Sequence, residues 1–165
     1  MQARRLCEAG AGYVTIHASY AGVWDMHANG NNLNMQDGMD VVGYSFDHAV
    51  AALIEDCEAR GLSDKIMLVC CSEMGRTPKL NKRGGRDHWA KLAPLMIYGG
   101  GFDGSRVIGQ SDRMDGEPVT DAFNPRHLIS TILRSVIDPG QLLLLPNVPK
   151  AVTELLEHPP ITGLG

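Results

Sequence analysis

Ile66-Met67-Leu68-Val69-Cys70-Cys71 is an unbroken apolar run of strand length. A half-buried strand alternates apolar and polar residues, so a continuous run predicts a strand covered on both faces. The preceding segment supplies a cover. Phe46, Ala49, Val50, Leu53, Ile54 and Cys57 recur at three- and four-residue intervals, which gathers them on one face of a helix. Asp47, Glu55, Asp56, Glu58 and Arg60 then face water, and Gly61 ends the helix.

The same reading extends along the chain. Gln2 to Ala9 reads as the end of a helix closed by Gly10 or Gly12. Tyr13-Val14-Thr15-Ile16-His17 is β-branched and short, a strand pattern, and a polar loop runs from about Ser19 to Asp37. Ala93 to Tyr98 is a further strand, stopped by Gly99-Gly100-Gly101. Asn124-Pro125 offers an N-cap followed by proline at the first helical position. Leu128, Ile129, Ile132, Leu133 and Val136 form the apolar face of that helix. Helix and strand in alternation predict an α/β domain with a mainly parallel sheet flanked by helices. Three strands are few for a free-standing sheet of that kind, and the chain opens on part of a helix. The expected architecture is therefore a single domain over residues 1–165 that is incomplete.

Charge and composition narrow the function. With 15 basic and 19 acidic residues the net charge is -4, which recommends neither nucleic acid nor an anionic membrane as partner. No apolar run approaches the roughly 18 residues of a membrane span. The first residues lack the apolar core of a signal peptide, so the chain as written is expected in the cytoplasm. Cys7, Cys57, Cys70 and Cys71 show no zinc-ligand spacing and no disulfide framework. They read as small buried hydrophobes in a reducing compartment.

Three polar clusters sit in loops just beyond strands, where α/β enzymes place their sites. The first is Trp24-Asp25-Met26-His27, followed by Asn29, Asn31 and Asn32. A carboxylate and an imidazole two residues apart can both turn toward one cation, and such ligands suit zinc, manganese or iron. The same pair also occurs as plain turn residues. The second cluster is Ser72-Glu73-Met74-Gly75-Arg76-Thr77-Pro78, with a carboxylate as ligand or base and a guanidinium fork for an oxyanion. A capped turn with a surface arginine is the bland alternative. The third is Gly84-Gly85-Arg86-Asp87-His88-Trp89. Arg76, Lys79, Lys82, Arg83, Arg86 and Lys91 concentrate positive charge on an acidic chain, which suits phosphate, sulfate or another anion, or else a solvated basic loop. His17, His48, His127 and His158 read as structural.

In their order and spacing these clusters resemble a bacterial family of unknown function, numbered 1501, within the alkaline phosphatase and sulfatase superfamily. The resemblance rests on Gly22 to His27, Ser72 to Asn81, Gly85 to Trp89 and Gly99 to Asp112, and covers roughly residues 3 to 138. It implies an alkaline-phosphatase-like fold. It also implies a pair of metal ions held at strand ends, acting on phosphate or sulfate esters. By the same resemblance Asp25 and His27 contribute to one metal with His88 a further ligand, Glu73 serves the second metal, and Arg76 and Arg86 face the anionic group. The cofactor is a divalent metal, zinc first, with calcium or manganese as alternatives. Two departures stand out. Met74 occupies a position that is commonly His in phosphatases. The superfamily's first metal-binding carboxylate and its nucleophile come from an N-terminal strand and helix, and no such segment precedes Met1. The chain thus reads as the C-terminal portion of such a domain, from a parent protein of a family that is usually exported.

The leading expectation is a metal-dependent hydrolase-like domain for a small anionic ester, with self-association into a homo-oligomer compatible. The alternative is a non-catalytic module that keeps the fold and binds an anion or a partner without turnover. A third reading is an unstable truncation product.

Overall fold

The computed structural model describes residues 2–20 and 22–164. Its longest element is a helix much longer than the sequence periodicity alone marks. After the short helix α1 (Gln2–Glu8), helix α2 spans Met35–Ala59 and is capped by Asn34, whose side chain accepts from the Asp37 N–H. Its first turns carry Gly38 and Gly43 among polar residues, which hides the helical period there. Gly38 is buried beneath the Met26 side chain. The edge of Trp24 meets Phe46 at 6.0 Å between ring centres. Val42 and Met26 are almost fully buried at this junction, so the amino-terminal half of α2 is the floor on which the first polar cluster rests. At its other end, Asp56 takes a 2.5 Å charge contact from the buried Arg4 of α1 and a hydrogen bond from Arg60. Asp56, expected to face water, is thus tied into the α1–α2 contact.

Strand β1 (Met67–Cys70) follows, then β2 (Gly75–Arg76), β3 (His88–Trp89) and β4 (Met96–Gly99). β1 pairs with β4, and β2 with β3, both antiparallel. The expected mainly parallel, alkaline-phosphatase-like sheet is not what the chain forms: the described residues make two short two-stranded antiparallel sheets. The reason lies in the connection. A parallel pair needs a crossover of a dozen or more residues, usually a helix. The segment between β1 and β4 instead doubles back through the β2–β3 hairpin and returns the chain in the opposite direction. β1 is also only half-buried along its length, so its apolar run is not covered on both faces. Tyr98 of β4 donates to the Glu58 carboxylate of α2 at 2.8 Å; burial, reinforced by that bond, pushes its phenol up to about 12.

Helix α3 (Pro125–Val136) begins where Asn124-Pro125 places it, and Asn124 and His127 complete a reciprocal capping box. After the single turn α4 (Pro139–Leu142), helix α5 (Lys150–Glu157) packs on α3. Ser130 and Arg134 of α3 donate to the carbonyls of His158 and Leu156, both at 2.6 Å. The buried Thr131 accepts the Ile161 N–H, tying down the tail.

Apolar burial is sparse. The accessible surface is 11512 Å², against about 8000 Å² for a compact monomer of 17.9 kDa. The Tyr13–His17 segment has no regular secondary structure and joins no sheet, with Tyr13 and Ile16 largely exposed. Of the four free cysteines only Cys57 is buried, and Cys71 is exposed. Among the described residues no helix is long and apolar enough to cross a membrane.

Candidate metal centre

The β2–β3 hairpin sets two site residues side by side. Arg76 lies directly opposite His88, and Gly75 opposite Trp89. Directly opposed residues of an antiparallel pair project to the same face, so an imidazole and a guanidinium share one surface. The first polar cluster is laid against that surface by three hydrogen bonds. The Arg86 N–H donates to the Met26 carbonyl at 2.8 Å, Asn81 Nδ2 to the His27 carbonyl at 2.8 Å, and the Met35 N–H to the Gly84 carbonyl at 3.0 Å. The two loops touch backbone to backbone because residue 85 is glycine. A Cβ there would stand 2.3 Å from the His27 carbonyl carbon and 2.4 Å from its oxygen.

Three ligand atoms converge as a result. Asp25 Oδ1 lies 3.0 Å from His27 Nε2 and 2.9 Å from His88 Nε2, and the two ring nitrogens are 3.0 Å apart. These contacts cannot all be hydrogen bonds. If both imidazoles donate to Asp25, the nitrogen–nitrogen contact has no acceptor. If one imidazole donates to the other, the accepting nitrogen turns a lone pair toward the carboxylate. A cation coordinated by all three removes the conflict. A triangle with these edges has its centre about 1.7 Å from each corner, so an ion at the roughly 2.0–2.1 Å typical of zinc ligands fits just off its plane. Two imidazoles and a carboxylate are also a donor set suited to zinc. All three side chains keep contact with solvent, so an ion held there would be open to a further ligand.

Arg76 completes the cluster. Its Nη2 donates to Asp25 Oδ1 at 2.5 Å, while Nη1 is buried with no hydrogen-bond partner. Burial works to raise the Asp25 pKa, but the hydrogen bonds from His88 and Arg76 and the charges of Arg76 and His27 outweigh it, and the net shift is downward. Asp87 is likewise lowered, first by the hydrogen bond from Asn81 and then by that from His27. Asp56 is lowered chiefly by Arg60, and Asp112 chiefly by the Gly116 N–H. A carboxylate whose folded pKa is depressed adds stability that is present above its unfolded value, here near 3.8, and is lost as pH falls through the folded value. Urea unfolding midpoints measured across the acid range should therefore be level above about pH 5 and decline below about pH 4. A midpoint that rose on acidification would contradict these four assignments.

Asp25, His27 and His88 are thus brought together. Glu73 lies outside that group, exposed at the bend between β1 and β2. Arg86 turns its Nη1 to the Thr77 and Pro78 carbonyls, at 2.7 and 2.5 Å, and closes the loop between β2 and β3. Lys79, Lys82 and Arg83 are exposed along that loop, and Lys91 pairs with Glu117. His127 serves the α3 cap, and His158 lies beside Arg126 at 3.4 Å. Asn81 and Asp87 join the site without having been singled out as site residues from sequence. The signal for Asn81 was an asparagine shortly before a glycine pair, where its side chain can organise a turn. Asp87 sat in plain view beside His88.

The fold and the site together describe a small chain of helices and two short antiparallel sheets, with an Asp-His-His cluster open to solvent and flanked by Arg76. Residues 1–147 match the family described as Protein of unknown function (DUF1501), and the chain belongs to that family. No curated protein and no solved structure matches it.

Proposed function

We propose that Asp25, His27 and His88 hold a divalent metal, zinc first among the candidates and calcium or manganese after it, and that the site acts on small phosphate or sulfate esters. The observation that carries this reading is the convergence of the three ligand atoms to within 3.0 Å of one another. A metal there supplies Lewis-acid polarisation of an ester oxygen. The protein's own groups do the rest. Asp25 contributes the negative charge of the ligand set, and Arg76 steadies that carboxylate through Nη2. The guanidinium charge of Arg76, held beside Asp25, favours an anionic group at the cluster. Arg86 shapes the loop rather than meeting the anion, and Glu73 stands apart from this metal.

The motifs resemble those of the family numbered 1501, and the resemblance that sets this family beside alkaline phosphatases and sulfatases suggests the chemistry; the antiparallel sheets do not carry that superfamily's fold. The test is calorimetric titration of the metal-free protein with zinc, manganese and calcium, followed by assays on aryl phosphates and aryl sulfates. Absence of binding by all three metals would sink the proposal. Metal binding without turnover, together with binding of inorganic phosphate or sulfate, would leave the module that holds an anion and does not hydrolyse it.

A further inference from the structure

An imidazole binds a metal through Nε2 only if the ring proton sits on Nδ1. His27 turns Nε2 into the Asp25–His88 cluster and Nδ1 toward Asp87 Oδ1, at 3.4 Å. The same Asp87 oxygen accepts Asn81 Nδ2 at 3.1 Å. Asn81 is itself held at both ends. Its Nδ2 also donates to the His27 carbonyl at 2.8 Å, and its Oδ1 accepts the Arg83 and Gly85 N–H groups, each at 3.0 Å. The backbone of Asp87 is anchored as well. Its carbonyl accepts the Thr77 N–H at 2.9 Å, and its N–H donates to Thr77 Oγ1 at 3.1 Å. One asparagine thus ties the backbone of His27 to the carboxylate that meets the ring of the same residue.

The arrangement has a chemical consequence. His27 stands between two carboxylates, Asp25 at Nε2 and Asp87 at Nδ1. If its proton settles on Nε2, the ring donates to Asp25 and the ligand cluster closes on itself. If the proton is held on Nδ1, the Nε2 lone pair is free for a cation. We infer that Asp87, oriented by Asn81, is a positioning residue that keeps the His27 proton on Nδ1 and so presents Nε2 to the metal. This rests on the metal reading proposed above and deepens it by adding the carboxylate behind one ligand. Such partners raise the basicity of a metal-bound imidazole and fix its orientation, and their loss typically costs about 10–100-fold in metal affinity.

The experiment is zinc titration of wild type, Asp87→Ala, Asp87→Asn, Asp87→Glu and His88→Ala. It is accompanied by thermal melts of the metal-free proteins and by a long-range proton–nitrogen NMR spectrum of the zinc-loaded histidines. Asp87→Ala should weaken zinc binding by about 10–100-fold. Asp87→Asn, which keeps an acceptor but loses the charge, should fall between, and Asp87→Glu should recover most of the affinity. Asp87 accepts from Asn81 Nδ2, so the metal-free melt of Asp87→Ala should fall by a small step, kept modest by the half-exposed side chain. A purely structural role would lower zinc affinity only in proportion to that fall, whereas positioning lowers it further. In zinc-loaded wild type the His27 Nδ1 proton should be visible, and in Asp87→Ala it should be lost to exchange with water. Zinc affinity of Asp87→Ala equal to wild type would overturn the inference while leaving the metal reading in place. Failure of wild type to bind zinc, or indifference of binding to His88→Ala, would remove the metal reading and this role with it.

Discussion

Replacing His88 by alanine should lower zinc affinity by more than about 100-fold, beyond the range seen when a merely supporting residue is lost. The expectation follows from ligand count. Asp25, His27 and His88 supply the three converging atoms, and catalytic zinc sites are ordinarily built on three protein ligands with the next position open. Two ligands two residues apart on one loop hold a cation far less firmly than three drawn from two segments. The fold should tolerate the change, because the His88 side chain is about half exposed at 51% and lies on a two-residue ladder whose bonds are made by the backbone. Stability should stay within about 0.5 kcal/mol of wild type, as for most surface substitutions. Zinc calorimetry and urea unfolding on the same preparation separate the two effects. If His88→Ala keeps zinc affinity within a few fold of wild type, the three atoms do not form one site.

The second large effect is expected at a residue with no side chain. Gly85→Ala places a Cβ against the Met26 carbonyl oxygen at 2.6 Å and even closer to the His27 carbonyl. These are backbone atoms, so no rotamer change relieves the contact, and the loops must part. Parting strains the Arg86-to-Met26 and Asn81-to-His27 hydrogen bonds that seat the first cluster against the hairpin. A loss of about 3 kcal/mol is expected, the upper part of the usual range for overpacking. That is a large share of the 5–15 kcal/mol typical of a domain, and the sparse burial of this one leaves little in reserve. Gly104→Ala is the control, since nothing stands within 4 Å of its added Cβ; its urea midpoint should match wild type. Equal midpoints for the two variants would show that the loops are not in contact.

Local signals were legible where they carried their own mechanism. Asn124-Pro125 started a helix because the cap and the preset proline φ act within one turn. The period from Phe46 to Cys57 marked a helix, but its start at Met35 was obscured by Gly38 and Gly43. Those glycines admit neighbouring side chains rather than displaying an apolar face of their own: Met26 lies over Gly38 and Met39 beside Gly43. Sheet direction was not legible. An apolar run tells how much a strand is covered and not which way its neighbour points, and β1 met β4 through a returning hairpin. The site was readable in part. Asp25, His27 and His88 were visible as residue types able to bind metal, while their convergence depends on contacts across more than 50 positions of chain, as from Asn81 to His27. Tyr13 to His17 shows the opposite failure: a good strand pattern forms no strand where no neighbouring backbone pairs with it.

The pairing of Arg76 with His88 also governs how the loop between them can change over evolutionary time. Side chains alternate along a strand, so a one-residue slip in register sends a residue to the opposite face. A single residue inserted between Gly85 and His88 would carry the imidazole away from Asp25 while leaving Asp25, His27 and His88 all present in the sequence. Lys82 and Arg83, at the exposed tip, lie outside the Thr77–Asp87 clasp that sets the register. Charge can drift at that tip, whereas its length is held by the Arg83 and Gly85 N–H bonds to Asn81, so lineages descended from one ancestor can vary the charge at the rim of the cluster without rebuilding its centre.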